Sequence, residues 1–281
     1  MNSLLEIIKI SRPGFYPTQA WFYSLPFAQR DVFDQPEFWL GLFYVTFPLG
    51  LLLYGWNDIS DSETDAANSR KGTWLFGGRP DARLRRQLPW IIALVQIPFA
   101  ILFSWIAGPK MLIWLAAVVG SNALYNNVGW KQLPVLDVLN QSGYLLVFVL
   151  ASWLCEVPMP GWPTIVFGAL FAMQSHLFSE IMDIDVDKLS GRHTSAMLLG
   201  AYASKRVLGA IMIVESAIAF IYFPGPWVGG FMALGATFFL VDSWVGPKRY
   251  SLTFVTLFFV GWNMVVFGSI YFVWRFGLLA S

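Results

Sequence analysis

Apolar runs long enough to cross a bilayer recur along the whole 281-residue chain, and this pattern restricts the possible fold more than any other feature. Charged or Pro/Gly-rich turns separate them. Nine runs can be read, at 14–29, 38–57, 88–107, 110–126, 136–154, 163–182, 205–223, 226–243 and 252–275. Inside hydrocarbon every backbone N–H and C=O needs a partner from the protein, so only helices or a closed barrel can span. A barrel would show short segments of alternating polarity, whereas Leu145–Ala151 and Leu257–Val260 are unbroken apolar runs. The expectation is an all-α polytopic membrane bundle of about nine transmembrane helices, forming a single domain over 1–281. Its pseudo-repeat halves are read at approximately 1–135 and 136–281. The composition, 57% hydrophobic and 12% charged, is too apolar for a water-soluble domain. A net charge of +1 lacks the basic surplus of a nucleic-acid binder, so no nucleic acid is expected as a partner. The one cysteine, Cys155, allows no internal disulfide and is read as packing.

Lys and Arg gather in the cytoplasmic loops of membrane proteins, which tests the count. With nine crossings and a cytoplasmic N-terminus, Lys9, Arg12, Arg70, Lys71, Arg79, Arg83, Arg85, Arg86, Lys131, Lys188, Arg192, Lys205, Arg206, Lys248 and Arg249 fall inside. Only Arg30, Lys110 and Arg275 fall outside. An even count would scatter them. Residues 1–13 carry no apolar segment followed by a small-residue cleavage site, so no leader is expected to be removed. The expected location is a bacterial-type inner membrane or its equivalent, with the two longest loops, about 58–87 and 184–204, on the cytoplasmic side.

Both of these loops open on acidic residues. Asn57, Asp61 and Asp65 are four apart, which on a helix puts them on one face about 6 Å of rise from one to the next. Glu180, Asp183 and Asp187 make a second such face, with Asp185 off it. Eight of the chain's 17 carboxylates sit in these two windows at the ends of apolar helices. A single acidic helix end is ordinarily a solvated cap, but two on the same side, each followed by basic residues and glycine, require a counter-charge. Mg²⁺ suits hard carboxylate oxygens and completes its shell with water and substrate phosphate, so these six residues are candidate metal ligands and catalytic residues. The cation implies a diphosphate, for which Arg70, Lys71, Lys131, Lys188 and Arg192 are candidate partners.

At these positions the sequence resembles the UbiA superfamily of intramembrane prenyltransferases. Asn57-x3-Asp61-x3-Asp65 matches the family's first signature, and Glu180-x2-Asp183-x3-Asp187 matches its Asp-x2-Asp-x3-Asp signature with Glu in place of the first Asp. Tyr125–Lys131 and Pro134–Asn140 resemble the family's stretch after the fourth helix. The resemblance implies a nine-helix bundle whose central cavity opens sideways to lipid. It also implies Mg²⁺-dependent ionisation of a polyprenyl diphosphate to an allylic carbocation, and attack by a lipophilic acceptor, either an aromatic ring or an isoprenoid or carotenoid alkene. Asn68–Gly72 resembles the branch that prenylates carotenoid ends, although Arg70-Lys71-Gly72 stands before Arg79-Pro80 in an order unlike the commonest family form. A membrane terpene cyclase, which needs no second substrate, is the alternative. A transporter would place its carboxylates at the midplane, whereas these sit at one face.

Polar residues inside apolar spans are costly and each needs a reading. Tyr54, Asn122, Tyr125, Asn126, Asn140, Tyr144, Gln174 and Phe178 are candidates for lining an acceptor cavity, with interhelical bonding or packing as the competing role. His176 is read as structural or as a base, Gln96, Gln141 and Asn263 as interhelical links, and Glu215 and Asp242 as needing an unidentified donor.

Overall fold

The structure is a computed structural model that describes residues 3–61, 68 and 70–280. Among them every extended element is helical: α1 Ser3–Ile10, α2 Tyr16–Ser24, α3 Pro36–Ser60, α4 Ala82–Ala107, α5 Lys110–Asn126, α6 Leu136–Leu139, α7 Leu146–Leu154, α8 Trp162–Leu189, α9 Ser195–Leu199, α10 Ala201–Tyr222, α11 Trp227–Val245 and α12 Leu252–Phe276. The only other pairing among described residues is one isolated bridge, Thr73 with Gly77. Six helices are long and apolar enough to cross a membrane, namely α3, α4, α5, α8, α11 and α12. Each coincides with an expected span.

The other three expected spans differ in form. The run at 14–29 is two 3-10 turns, Pro13–Phe15 and Leu25–Phe27, on either side of α2, because Pro13, Pro17 and Pro26 each remove an amide donor. The run at 136–154 is divided into α6, a 3-10 segment Asn140–Leu145 and α7. The run at 205–223 belongs to one continuous helix, α10, which carries Lys205, Arg206 and Glu215 within an otherwise apolar sequence. Helix ends follow local chemistry: Asp81, Thr194 and Ser251 each accept a backbone N–H as N-caps, and Gly108, Gly200 and Gly277 close helices at positive φ.

α3 and α8 form the interior, with 61% and 44% of their apolar windows buried, against 11% for α12 on the periphery. Amides hold them in place. Gln96 on α4 accepts from the Tyr44 hydroxyl at 2.7 Å and donates to the Pro48 carbonyl at 2.7 Å, tying α4 to α3 beside its internal proline. Asp242 on α11 meets Lys205 of α10 at 2.6 Å and accepts from Tyr250, so its donor is a buried lysine. Apolar side chains cover the outside: Trp105, Trp227 and Trp244 are all more than three-quarters exposed near helix ends, as expected of aromatics at a lipid–water boundary.

Candidate active site

The C-terminal ends of α3 and α8 meet over a partly open cavity of about 350 Å³ between the helices. Asn57, Asp61, Glu180, Asp183 and Asp187 all line it, so the two acidic signatures form one site. α3 ends at Ser60. Asp61 is its C-cap, with its N–H on the Asn57 carbonyl at 2.9 Å, which keeps the two side chains one turn apart as the spacing predicted. Asp65 lies outside the described residues. Asp185 points away, to an exposed pair with Arg249 at 2.6 Å.

The basic residues cross over between the signatures. Arg192, from the loop after α8, meets Asp61 at 2.5 Å and Asp187 at 3.7 Å, while Arg70, from the loop after α3, bonds Asp183. Lys131 adds a third cation, 2.5 Å from Asp61 and 2.6 Å from the Ser60 hydroxyl. Burial pushes the Asp61 carboxyl up, but Arg192 and Lys131 more than offset this and hold it below its usual range. Lys71 stays with its own signature, on the buried Asp58 at 2.5 Å, where Arg12 also lies at 3.5 Å with its guanidinium over the Tyr54 ring at 4.5 Å. Among the described residues no three acidic or histidine side chains are close enough to hold an ion by themselves.

Glu180 is fixed differently from its neighbours. Its Oε2 accepts the Ala196 N–H at 3.1 Å and its Oε1 lies 3.0 Å from Nε2 of His176, which also lines the cavity. Beside it the fully buried Asp137 accepts the Ser195 N–H and hydroxyl, both at 2.6 Å, while Ser195 Oγ accepts the Val135 N–H at 2.7 Å. The segment that carries Arg192 is thereby clamped to the start of α6.

Away from the charges the cavity is largely apolar. Tyr54 and Tyr144 share a hydroxyl hydrogen bond at 2.8 Å, and Tyr125, Asn140, Gln174 and Phe178 also line the wall. Asn122 lines it too, and its amide reaches the Leu52 carbonyl at 3.4 Å. Two expected site residues fall elsewhere. Asn126 is turned into a network with Asn122, Ser60 and Lys131, and does not line the cavity, because the lysine draws its Oδ1 to 3.3 Å. Lys188 is exposed on the last turn of α8, about 100° around the helix from the buried Asp187, and does not line the cavity.

Arg12, Gln19, Asp137 and Ser195 belong to the site or support it, and the sequence reading passed over all four. Gln19 and Asp137 could have been found by the same rule applied to Gln174, since both are polar residues within expected apolar spans. Nothing local marks Arg12 or Ser195, whose partners are distant in sequence.

The family model described as the UbiA prenyltransferase family matches residues 17–262. Curated relatives include a lycopene elongase/hydratase of Corynebacterium glutamicum, 24% identical over 252 residues, covering 87% of this chain and 86% of that protein. A lycopene elongase/hydratase of Haloarcula japonica is 31% identical over 158 residues, covering 56% of this chain and 53% of that protein. Among solved structures, a UbiA homolog from Archaeoglobus fulgidus bound to GPP and Mg2+ superposes with a TM-score of 0.68 at 14% identity, covering 95% of this chain and 99% of that chain.

Proposed function

The chain belongs to the UbiA prenyltransferase family and is an intramembrane prenyltransferase, and from that premise we propose that it transfers a polyprenyl group from a polyprenyl diphosphate to a carotenoid-type alkene in the membrane. The observation that carries this reading is the convergence of both acidic signatures and three cations, Arg70, Lys131 and Arg192, on one cavity with an apolar interior. The alkene acceptor is supported by the relatives, which are named lycopene elongase/hydratases, and by the Asn68–Gly72 stretch.

Mg²⁺ fits the donor set. The residues that would hold it are Asn57, Asp61, Asp183 and Asp187, with Asp65 and Glu180 as further members. All present hard oxygen ligands, and among the described residues too few converge for an all-protein cage, which is the situation Mg²⁺ tolerates because it keeps water and phosphate in its shell. The likeness to a fold solved with Mg2+ supports the same assignment. When bound, the ion would supply neutralising charge to the leaving diphosphate.

The rest is done by the chain. Arg70, Lys131 and Arg192 exchange carboxylate for phosphate oxygens and stabilise charge on the departing diphosphate. Tyr54, Tyr125, Tyr144 and Phe178 present aromatic faces that favour an allylic cation without adding to it. The apolar wall of Trp114, Val118, Phe171 and Trp262 excludes water from the hydrocarbon portion of the substrates. Positive loops support a nine-crossing bundle with its acidic signatures on the cytoplasmic side.

The test is diphosphate release by the purified protein with Mg²⁺ and geranyl, farnesyl or geranylgeranyl diphosphate, with and without a carotenoid acceptor. Release that requires the acceptor, and is lost in Asp61→Ala and Asp183→Ala, supports the transferase. Release without an acceptor, accompanied by a cyclic hydrocarbon, would make the protein a cyclase.

A further inference from the structure

Not every polar group in the cavity has a partner. Gln19 on α2 is 1% exposed, and among the described residues neither its Oε1 nor its Nε2 is hydrogen-bonded. Gln174 on α8 is 4% exposed, and its Oε1 is also unpartnered. Both side chains line the cavity.

Ring contacts give their level within it. α2 runs away from the acidic end, since Phe15 just before it lies 5.5 Å from the Tyr54 ring, while Tyr23 near its far end reaches the carbonyl of Glu37 at the start of α3. α8 runs toward the acidic end. The two helices meet where Phe171 lies 4.7 Å from Trp21 and 5.8 Å from Phe22, ring to ring. Gln19 precedes Phe22 by three residues and Gln174 follows Phe171 by three. Each amide therefore sits about 4.5 Å of helical rise above that contact, on the acidic side and on the same helix face as the ring. Phe22, Phe171 and Trp262 form the apolar floor beneath them, Phe171 and Trp262 stacking at 5.4 Å.

A buried amide without a partner is costly, and a hydrocarbon ligand offers it no relief. An oxygen that both donates and accepts satisfies both glutamines at once. On the transferase reading above, we infer that Gln19 and Gln174 are positioning residues that hold one such oxygen, a water molecule or an acceptor hydroxyl, beside the end of the acceptor. With a hydrocarbon acceptor the oxygen is water, an addition already implied by the name elongase/hydratase of the relatives, and what the two glutamines add is control over whether the reaction ends that way. The allylic C–O bond breaks with its electron pair to the diphosphate, and the acceptor alkene forms the new C–C bond. The cation left on the acceptor is then captured by a water lone pair, forming a C–O bond, and the proton goes to the released diphosphate. The product is a tertiary alcohol, and nothing is oxidised or reduced. Without held water the same cation loses a proton and becomes an alkene.

The experiment uses the purified protein with Mg²⁺, an allylic diphosphate and an acyclic hydrocarbon polyene in ¹⁸O-labelled water, and reads the ratio of labelled alcohol to anhydro prenylated product by mass. The wild type is expected to give labelled alcohol. Gln19→Leu and Gln174→Leu should each lower the ratio about tenfold, as expected for loss of one hydrogen bond to the held water. A ratio within one product pool is unaffected by a fall in total turnover, and Gln19→Met and Gln174→Met repeat the test at nearly constant volume. If the wild type gives no labelled alcohol but prefers a hydroxylated acceptor, and the Leu variants lose that preference, the held oxygen belongs to the acceptor. An unchanged ratio and unchanged preference in all four variants would overturn the inference while leaving the transferase intact. The absence of any prenylated product from the wild type would overturn the transferase reading and this inference with it.

Discussion

Asp61 stands between two cations that reach it from residues 70 and 131 positions further along the chain, and its titration follows from that arrangement. Burial raises its pKa, but Arg192 and Lys131 lower it further than burial raises it. A carboxyl depressed in the folded state contributes stability that is present above its unfolded value and lost as pH falls through the folded one. The melting temperature of the detergent-solubilised protein should therefore hold from neutral into mildly acid conditions and then fall, and Asp61→Asn should remove that part of the acid dependence. At neutral pH, Asp61→Ala and Arg192→Ala should each lower diphosphate release about 100-fold or more, the range found when one preorganised charge partner is removed. Lys188→Ala, exposed on α8, should stay near wild type in the same assay. If Lys188→Ala proved as damaging as Arg192→Ala, the crossed pairing would not describe the working site.

The linkers between helices carry as much of the site as the helices do. Asp137 at the start of α6 holds the first residue of α9, and with it the loop bearing Arg192. Asp137→Ala leaves the Ser195 N–H without its buried partner, at a cost of about 1–3 kcal/mol. The expected result is a raised KM for the prenyl diphosphate with a smaller change in kcat, checked by steady-state kinetics against Ser195→Ala. The six long helices were legible from hydropathy alone because length and apolarity are properties of a contiguous stretch. The prolines that break 14–29 were visible as well, but not how the chain would turn around them. The 3-10 segment Asn140–Leu145 has no such marker: it carries no proline, and its form is set by packing on α8. In the same way Asn57 and Asp61 were legible through their spacing, whereas the exchange of Arg70 and Arg192 between signatures depends on loops that only the assembled bundle brings together. Spacing alone named both arginines as candidate diphosphate partners, and the fold adds that Arg70 reaches Asp183 while Arg192 bridges Asp61 and Asp187.

For the bundle as a whole, the asymmetry of Lys and Arg makes sidedness testable. In a Cys155→Ser background, Lys110→Cys in the α4–α5 turn should react with a membrane-impermeant maleimide on intact cells, and Lys188→Cys should react only after lysis. Labelling of both positions in intact cells would put the acidic signatures on the wrong face. The crossed arginines also bear on how this chain tolerates change. Because Asp61 is neutralised by Arg192 together with Lys131, and Asp183 by Arg70, damage to one cluster is felt at residues distant in sequence. A genetic selection for restored activity after a mild lesion at position 192 would recover second-site suppressors more than a hundred residues away, around position 61. Natural drift would be bound by the same linkage, with the two loops changing together or not at all.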